Sequence, residues 1–138
     1  MTFTPRNVNE KLNATQVSGF NFAKVQTTGA AGFSGLWDLK TPDTGSLGFV
    51  IQNRANRYCL DTSNGGSSTA LAARPCDGTP SQSWNLDFIA GGGNLRVVRN
   101  SFTGDVLTKQ PGNPVPFLRD LGIGDATNQQ WQTISVKL

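Results

Sequence analysis

The chain of 138 residues is long enough for one domain with its own core. Only 15% of the residues are charged, and 16 Gly and 7 Pro punctuate the chain, which suits short strands joined by turns and argues against a helical bundle. The formal charge of +3 comes from scattered Lys and Arg, a balance that disfavours nucleic acid as partner, and no run approaches the roughly 18 apolar residues of a membrane span.

No basic-then-apolar signal peptide opens the chain, and Met1-Thr2-Phe3-Thr4-Pro5 suits either a mature secreted domain or a native cytosolic start. An opening segment carries Phe3, Val8 and Leu12. Phe20-Asn21-Phe22-Ala23-Lys24-Val25 then alternates with period two, as a half-buried strand does. Gly29 to Gly32 reads as a turn, Leu36 to Leu39 as a strand, and Thr41-Pro42-Asp43-Thr44-Gly45 as a junction loop. A second unit follows, with strands expected at Gly48–Gln52, Tyr58–Thr62, Thr69–Ala73 and Gln82–Phe88. In the last of these, Gln82, Trp84, Leu86 and Phe88 are expected to share one face. Gly91-Gly92-Gly93 is a second junction. A third unit offers strands at Leu95–Val98, Asp105–Thr108, Val115–Leu118 and Gln129–Ile134.

The units are copies. Trp37, Trp84 and Trp131 are the chain's three tryptophans, and they lie 47 residues apart. A shift of 47 also carries Ile51 onto Val98, Asn53 onto Asn100, Leu60 onto Leu107, Leu71 onto Leu118 and Gln82 onto Gln129, without a gap. The first unit follows less closely, with Gly35 at the place of the Gln. A fixed period of this length marks a repeat architecture, and one four-strand unit cannot bury its apolar face alone. The expectation is an all-β domain over 1–138, with repeats at about 2–40, 48–88 and 94–136 sharing a core around a pseudo-threefold axis. The tryptophans then supply core bulk, and the Gln of each Gln-x-Trp can satisfy backbone groups that hairpins leave unpaired.

Little in the chain supports chemistry. It has no histidine, which excludes Ser-His-Asp and Cys-His arrangements. The acidic residues Asp43, Asp77, Asp120 and Asp125 fall in turns without the spacing of a glycosidase pair. Cys59 and Cys76, 17 positions apart, suit one disulfide or two buried thiols, and no other soft ligands gather near them for a metal. Gly91-Gly92-Gly93 lacks the Lys-Ser/Thr and the helix of a phosphate cradle, so no cofactor is expected. Asn13-Ala14-Thr15 matches a glycosylation acceptor.

Tyr58-Cys59-Leu60-Asp61, Cys76 and Gln82-Ser83-Trp84, with five residues between Cys76 and Gln82, resemble the ricin-type (R-type) lectin repeat. The resemblance spans essentially the whole chain, strongest in the second unit and weakest in the first. It implies a β-trefoil, a Cys59–Cys76 disulfide, an extracellular, oxidising setting, and binding of glycans or glycoconjugates without catalysis. By the family's pattern Asp61 is the polar anchor for a sugar, with Arg74, Gln82 and, in the third unit, Asn128 as further candidates. The family's amide, aromatic and Asn helpers are replaced in the second unit by Ala72, Arg74 and Ser81. Thr108 takes the Asp place in the third unit, with Arg119 and Leu121 at the amide and aromatic places, and Ala14 takes the Asp place in the first. The resemblance thus leaves at most one family-type site, in the second repeat. A protein-interaction or cell-binding subunit of a toxin or larger secreted assembly is the alternative. The Pro111-to-Phe117 segment, Pro-rich and partly apolar, is its candidate contact. Protease inhibition through a protruding loop is a third reading with no specific signal.

Overall fold

The structure, a computed structural model, describes residues 1–6, 9–29, 32–41, 48–122 and 126–135. Val8, Asp43 and Asp125, and most of the Thr41-to-Gly45 junction, lie outside the described residues. The described strands are β1 (Thr2–Pro5), β2 (Lys11–Gln16), β3 (Ala23–Thr28), β4 (Trp37–Lys40), β5 (Val50–Asn53) and β6 (Cys59–Thr62). They continue with β7 (Leu71–Arg74), β8 (Trp84–Phe88), β9 (Leu95–Asn100), β10 (Val106–Thr108), β11 (Phe117–Arg119) and β12 (Trp131–Ile134).

All ladders are antiparallel, and they build a ring and a cap. In the ring β1 pairs with β12, β12 with β9, β9 with β8, and β4 with β5. A Phe49–Trp84 bridge joins β8 to the start of β5, and the Trp37 N–H donates to the Met1 carbonyl at 2.9 Å. These links pair the strand edges that would otherwise stand open to other chains. The cap consists of the hairpins β2–β3, β6–β7 and β10–β11. Ala23 pairs with Ala73, the Leu118 N–H donates to the Thr69 carbonyl, and the Thr27 N–H donates to the Pro114 carbonyl, both at 2.8 Å. Each hairpin therefore touches both others, and the architecture is a β-trefoil.

The three tryptophans open the last strand of each unit and are fully buried. Each indole N–H donates to a leucine carbonyl: Trp37 to Leu12 at 3.0 Å, Trp84 to Leu60 at 2.9 Å, and Trp131 to Leu107 at 3.0 Å. Those leucines join Phe3, Ile51, Val98 and Leu118 in one core cluster. A buried indole keeps its donor satisfied this way, at a net gain of about 1 kcal/mol per bond. Asn53 and Asn100, opposite Trp37 and Trp84, are matched as well. Each donates to the carbonyl of the middle residue of the 3₁₀ turn ahead of the tryptophan strand, Ser34 of Phe33–Gly35 at 2.8 Å and Ser81 of Pro80–Gln82 at 2.9 Å, and each accepts from two following backbone N–H groups.

These indole bonds correct the expected equivalences. The Leu-to-Trp separation is 24 in the second and third units but 25 in the first. Asn13, not Ala14, therefore occupies the place of Asp61. Asn13 is buried and donates to Thr28 Oγ1 at 2.9 Å, a position no glycosylating enzyme reaches in the folded chain. In the third unit Leu107 faces Leu118, whereas Leu60 faces Ala73. The third hairpin is two residues shorter, and the segment before Gln129 is two longer, so the gapless shift of 47 concealed two compensating offsets. Arg119 is thus the counterpart of Arg74 rather than of Ala72, and Leu121 lies in an exposed turn.

Three strand expectations also shift. β3 begins at Ala23, leaving Phe20 in the preceding turn, 61% exposed, with its ring 5.6 Å from that of Phe22. Gln82 and Gln129 lie in 3₁₀ turns, Pro80–Gln82 and Ala126–Gln129, ahead of the tryptophan strands. Pro80 at the first turn position presets the backbone for that geometry. Phe88 does not join Trp84 in the core: it is 82% exposed and lies against the Arg96 guanidinium, 4.2 Å from its ring centre.

Candidate functional site

The second unit's hairpin carries a buried polar cluster. Cys59 on β6 is bonded to Cys76, with Cα atoms 5.2 Å apart. The bridge pins the loop after β7 to β6, next to Asp61. The Asp61 side chain is completely buried. Its Oδ1 accepts from the Thr62 N–H at 2.6 Å, and its Oδ2 accepts from Gln82 Nε2 at 3.0 Å and lies 3.7 Å from Arg74 Nε. Gln82, also buried, completes its amide with the Pro75 carbonyl at 2.9 Å and the Asp77 N–H at 3.0 Å. The carboxylate is expensive to bury alone, and these donors, together with the guanidinium, offset that cost.

The third unit reproduces the hub without a charge. Gln129 Nε2 donates to Thr108 Oγ1 at 3.3 Å and to the Asp120 carbonyl at 2.8 Å, and its Oε1 accepts from Gly122 N at 2.8 Å. Asn128 stands beside this second hub, its carbonyl accepting from Lys109 N at 2.8 Å. The structure therefore gathers Asp61, Arg74 and Gln82 at one place and leaves Asn128 in another repeat.

Arg74 separates the buried hub from solvent. Its Nη1 donates to the Ser63 carbonyl at 3.0 Å, and a third of its side chain is exposed. The guanidinium lies over Gly65, where φ is +71° and an added Cβ would stand 3.5 Å from Cζ. Arg74 forms one wall of a cleft of about 420 Å³ shared with Ser63, Pro75, Asp77, Asn21 and Phe22.

Asn21 and Phe22 belong to the first unit, and the Ala23–Ala73 pairing delivers them. The Asn21 amide is oriented by Tyr58, whose hydroxyl donates to Asn21 Oδ1 at 3.2 Å and accepts from Gln16 Nε2 at 3.0 Å. That leaves Asn21 Nδ2 to donate elsewhere. Asp77 is exposed, and its Oδ1 accepts from Thr79 N at 3.1 Å and Thr79 Oγ1 at 2.8 Å. Its other oxygen is open as an acceptor. The cleft thus offers a guanidinium, an amide donor, a carboxylate acceptor and an aromatic ring. Of these, only Arg74 stood among the candidates read from the sequence. Asn21 and Phe22 sat in view as an aromatic-amide triplet, and taking it for a buried strand hid them.

A model of the family described as ricin-type beta-trefoil lectin domain-like matches residues 34–116. The chain belongs to this family. No curated protein sequence matches it. Among solved structures, the designed threefold-symmetric protein ThreeFoil is 19% identical with a TM-score of 0.80, and the match covers 98% of this chain and 97% of that one. The exo-β-1,3-galactanase 1,3Gal43A from Clostridium thermocellum is 21% identical with a TM-score of 0.79 over 98% of this chain, which spans only 30% of the enzyme. The Polyporus squamosus lectin, bound to a human-type influenza-binding epitope, is 16% identical with a TM-score of 0.74; 94% of this chain covers 46% of that lectin. At these identities the likeness shows the fold.

The family's three-repeat ground plan makes the differences between units informative. The places equivalent to Asp61 hold Asn13 and Thr108, both buried. Among the described residues, only the second ricin-type repeat combines a carboxylate hub with a half-buried arginine above it. Elsewhere, burial and the neighbouring Asp120 carboxylate, an acceptor for the protonated form, raise the Asp105 carboxyl above its ordinary value. A hydrogen bond from Arg54 holds Asp38 below it.

Proposed function

We propose that the chain is a non-catalytic carbohydrate-binding module, one domain over 1–138, with a single sugar cleft in the second repeat. The cleft bounded by Arg74, Asp77, Asn21 and Phe22 carries this reading. Neighbouring sugar hydroxyls are recognised by groups that donate and accept in pairs, with a ring against the C–H face. Arg74 and Asn21 donate, Asp77 accepts, and Phe22 is the ring. Asp61 and Gln82 act from beneath, fixing Arg74 and the Asp77 loop, rather than by touching the sugar. Asn128 has no part in this cleft. The lack of histidine excludes Ser-His-Asp and Cys-His arrangements. The Cys59–Cys76 bond supports an extracellular setting. A single cleft binds weakly, and useful avidity requires linkage to other modules.

A glycan array followed by calorimetric titration tests the reading. Wild-type protein is expected to bind a neutral glycan, with binding lost in Arg74→Ala and in Asp77→Ala and kept in Asn128→Ala. Failure to bind any glycan, or binding indifferent to both cleft substitutions, would sink it.

A further inference from the structure

A second cleft of about 400 Å³ adjoins the first. The two share Phe22 and Ser63, so they meet at these side chains, between the first and second hairpins. Their linings differ in kind. The polar cleft is framed by Arg74, Asp77 and Asn21, whereas Val25, Leu71, Ala72 and Val115 line the second together with Lys24 and Gln26. No carboxylate lines it, and Ser63 Oγ is engaged with Ser68 Oγ at 2.9 Å. Val115 is 47% exposed at its rim, contributed by the third hairpin, and Phe20 stands exposed beside Phe22. Besides Ser63, its polar side chains are Lys24 and Gln26, at the outward positions of β3; the rest of the lining is hydrocarbon, and a hydrocarbon group needs only such surface to leave water.

We propose that the second cleft is a subsite for an apolar aglycone, an alkyl or aryl group attached to the sugar held by the first. The inference rests on the sugar reading of the polar cleft and extends it: the ligand class becomes amphiphilic glycosides, not free oligosaccharides. Position fits this occupant. A substituent leaving a sugar packed on Phe22 passes directly onto the apolar floor, because Phe22 belongs to both walls.

The test compares methyl and n-hexyl glycosides of galactose and glucose, with hexan-1-ol as a probe that lacks a sugar. Affinity is read by calorimetry, and placement is read by the methyl NMR signals of Val25, Leu71 and Val115. Each buried methylene is worth roughly a fourfold gain at full burial, so a half-seated hexyl chain should tighten binding by about tenfold or more over methyl. The hexyl probes should shift all three methyl signals, and Val115→Glu, on an exposed side chain, should erase the gain without weakening the methyl glycoside. Equal affinity for methyl and hexyl glycosides overturns the proposal, as does the absence of shifts at these methyls with every hexyl probe, hexanol included. If hexanol and the hexyl glycosides seat there while Arg74→Ala changes nothing, the apolar subsite stands and the sugar reading of the polar cleft falls.

Discussion

Asp61→Ala is the substitution that most sharply separates a buried hub from a ligand anchor. In the structure the carboxylate serves the Thr62 N–H at 2.6 Å, Gln82 Nε2 at 3.0 Å and, more distantly, the Arg74 guanidinium. Removing it leaves the Thr62 N–H without this acceptor and Gln82 with the Pro75 carbonyl alone for its NH₂ group. Each stranded buried donor costs about 1–3 kcal/mol, and the loss of a compensating charge beneath Arg74 adds to this. Together they amount to roughly 3–5 kcal/mol, a large part of the 5–15 kcal/mol that holds a typical domain folded. The third repeat supplies the control, since Thr108 fills the same role for Gln129 with a hydroxyl. Asp61→Thr should therefore recover about half of the loss by restoring an acceptor to Gln82. Urea unfolding followed by tryptophan fluorescence measures both, with unchanged m-values certifying that only stability has moved. If Asp61→Ala costs less than about 1 kcal/mol, or if Asp61→Thr is no better than Asp61→Ala, the hub reasoning is wrong.

Other expectations follow the same physical lines. Replacing Cys59 and Cys76 together by Ser should lower stability by about 3 kcal/mol, the loop-closure contribution of a 17-residue separation, measured by urea unfolding without reductant. Trp84→Phe removes the donor to the Leu60 carbonyl and leaves a void at the ring's edge, so it should cost about 2–4 kcal/mol by thermal unfolding. Asp105 has a folded pKa raised above its ordinary 3.8 by burial and by Asp120. Its contribution to stability is complete below 3.8 and is lost as pH rises through the raised value, so Asp105→Asn should be more stable than wild type at neutral pH. Asp38 has the opposite sign: its contribution holds above 3.8 and fades as pH falls through its lowered value, and Asp38→Asn should flatten the acid limb of the stability profile.

The frame was legible because it is periodic. Three tryptophans at one spacing impose three equivalent core positions, and the indole-to-leucine bonds show what the spacing secures. Counting alone could not see where loops differ. One extra residue between Leu12 and Trp37 moves Asn13 into the Asp61 place, and two compensating offsets move Arg119 onto the Arg74 place. Burial was hidden for a related reason. An Asp after Cys-Leu reads alike whether its carboxylate faces a ligand or a glutamine amide, and Gln82, 21 residues on, decides the matter. The cleft was half visible. Arg74 stood at a family position, but Asn21 and Phe22 arrive from another repeat through the Ala23–Ala73 pairing, a contact that no local pattern encodes.

The most direct measurement is a backbone amide NMR titration with the strongest glycan from an array, followed residue by residue. The account predicts shifts concentrated at Asn21, Phe22, Ser63, Arg74 and Asp77, with the third-repeat hub around Thr108 and Asn128 silent. Shifts centred on that hub, or a protein that answers to no glycan, would contradict it.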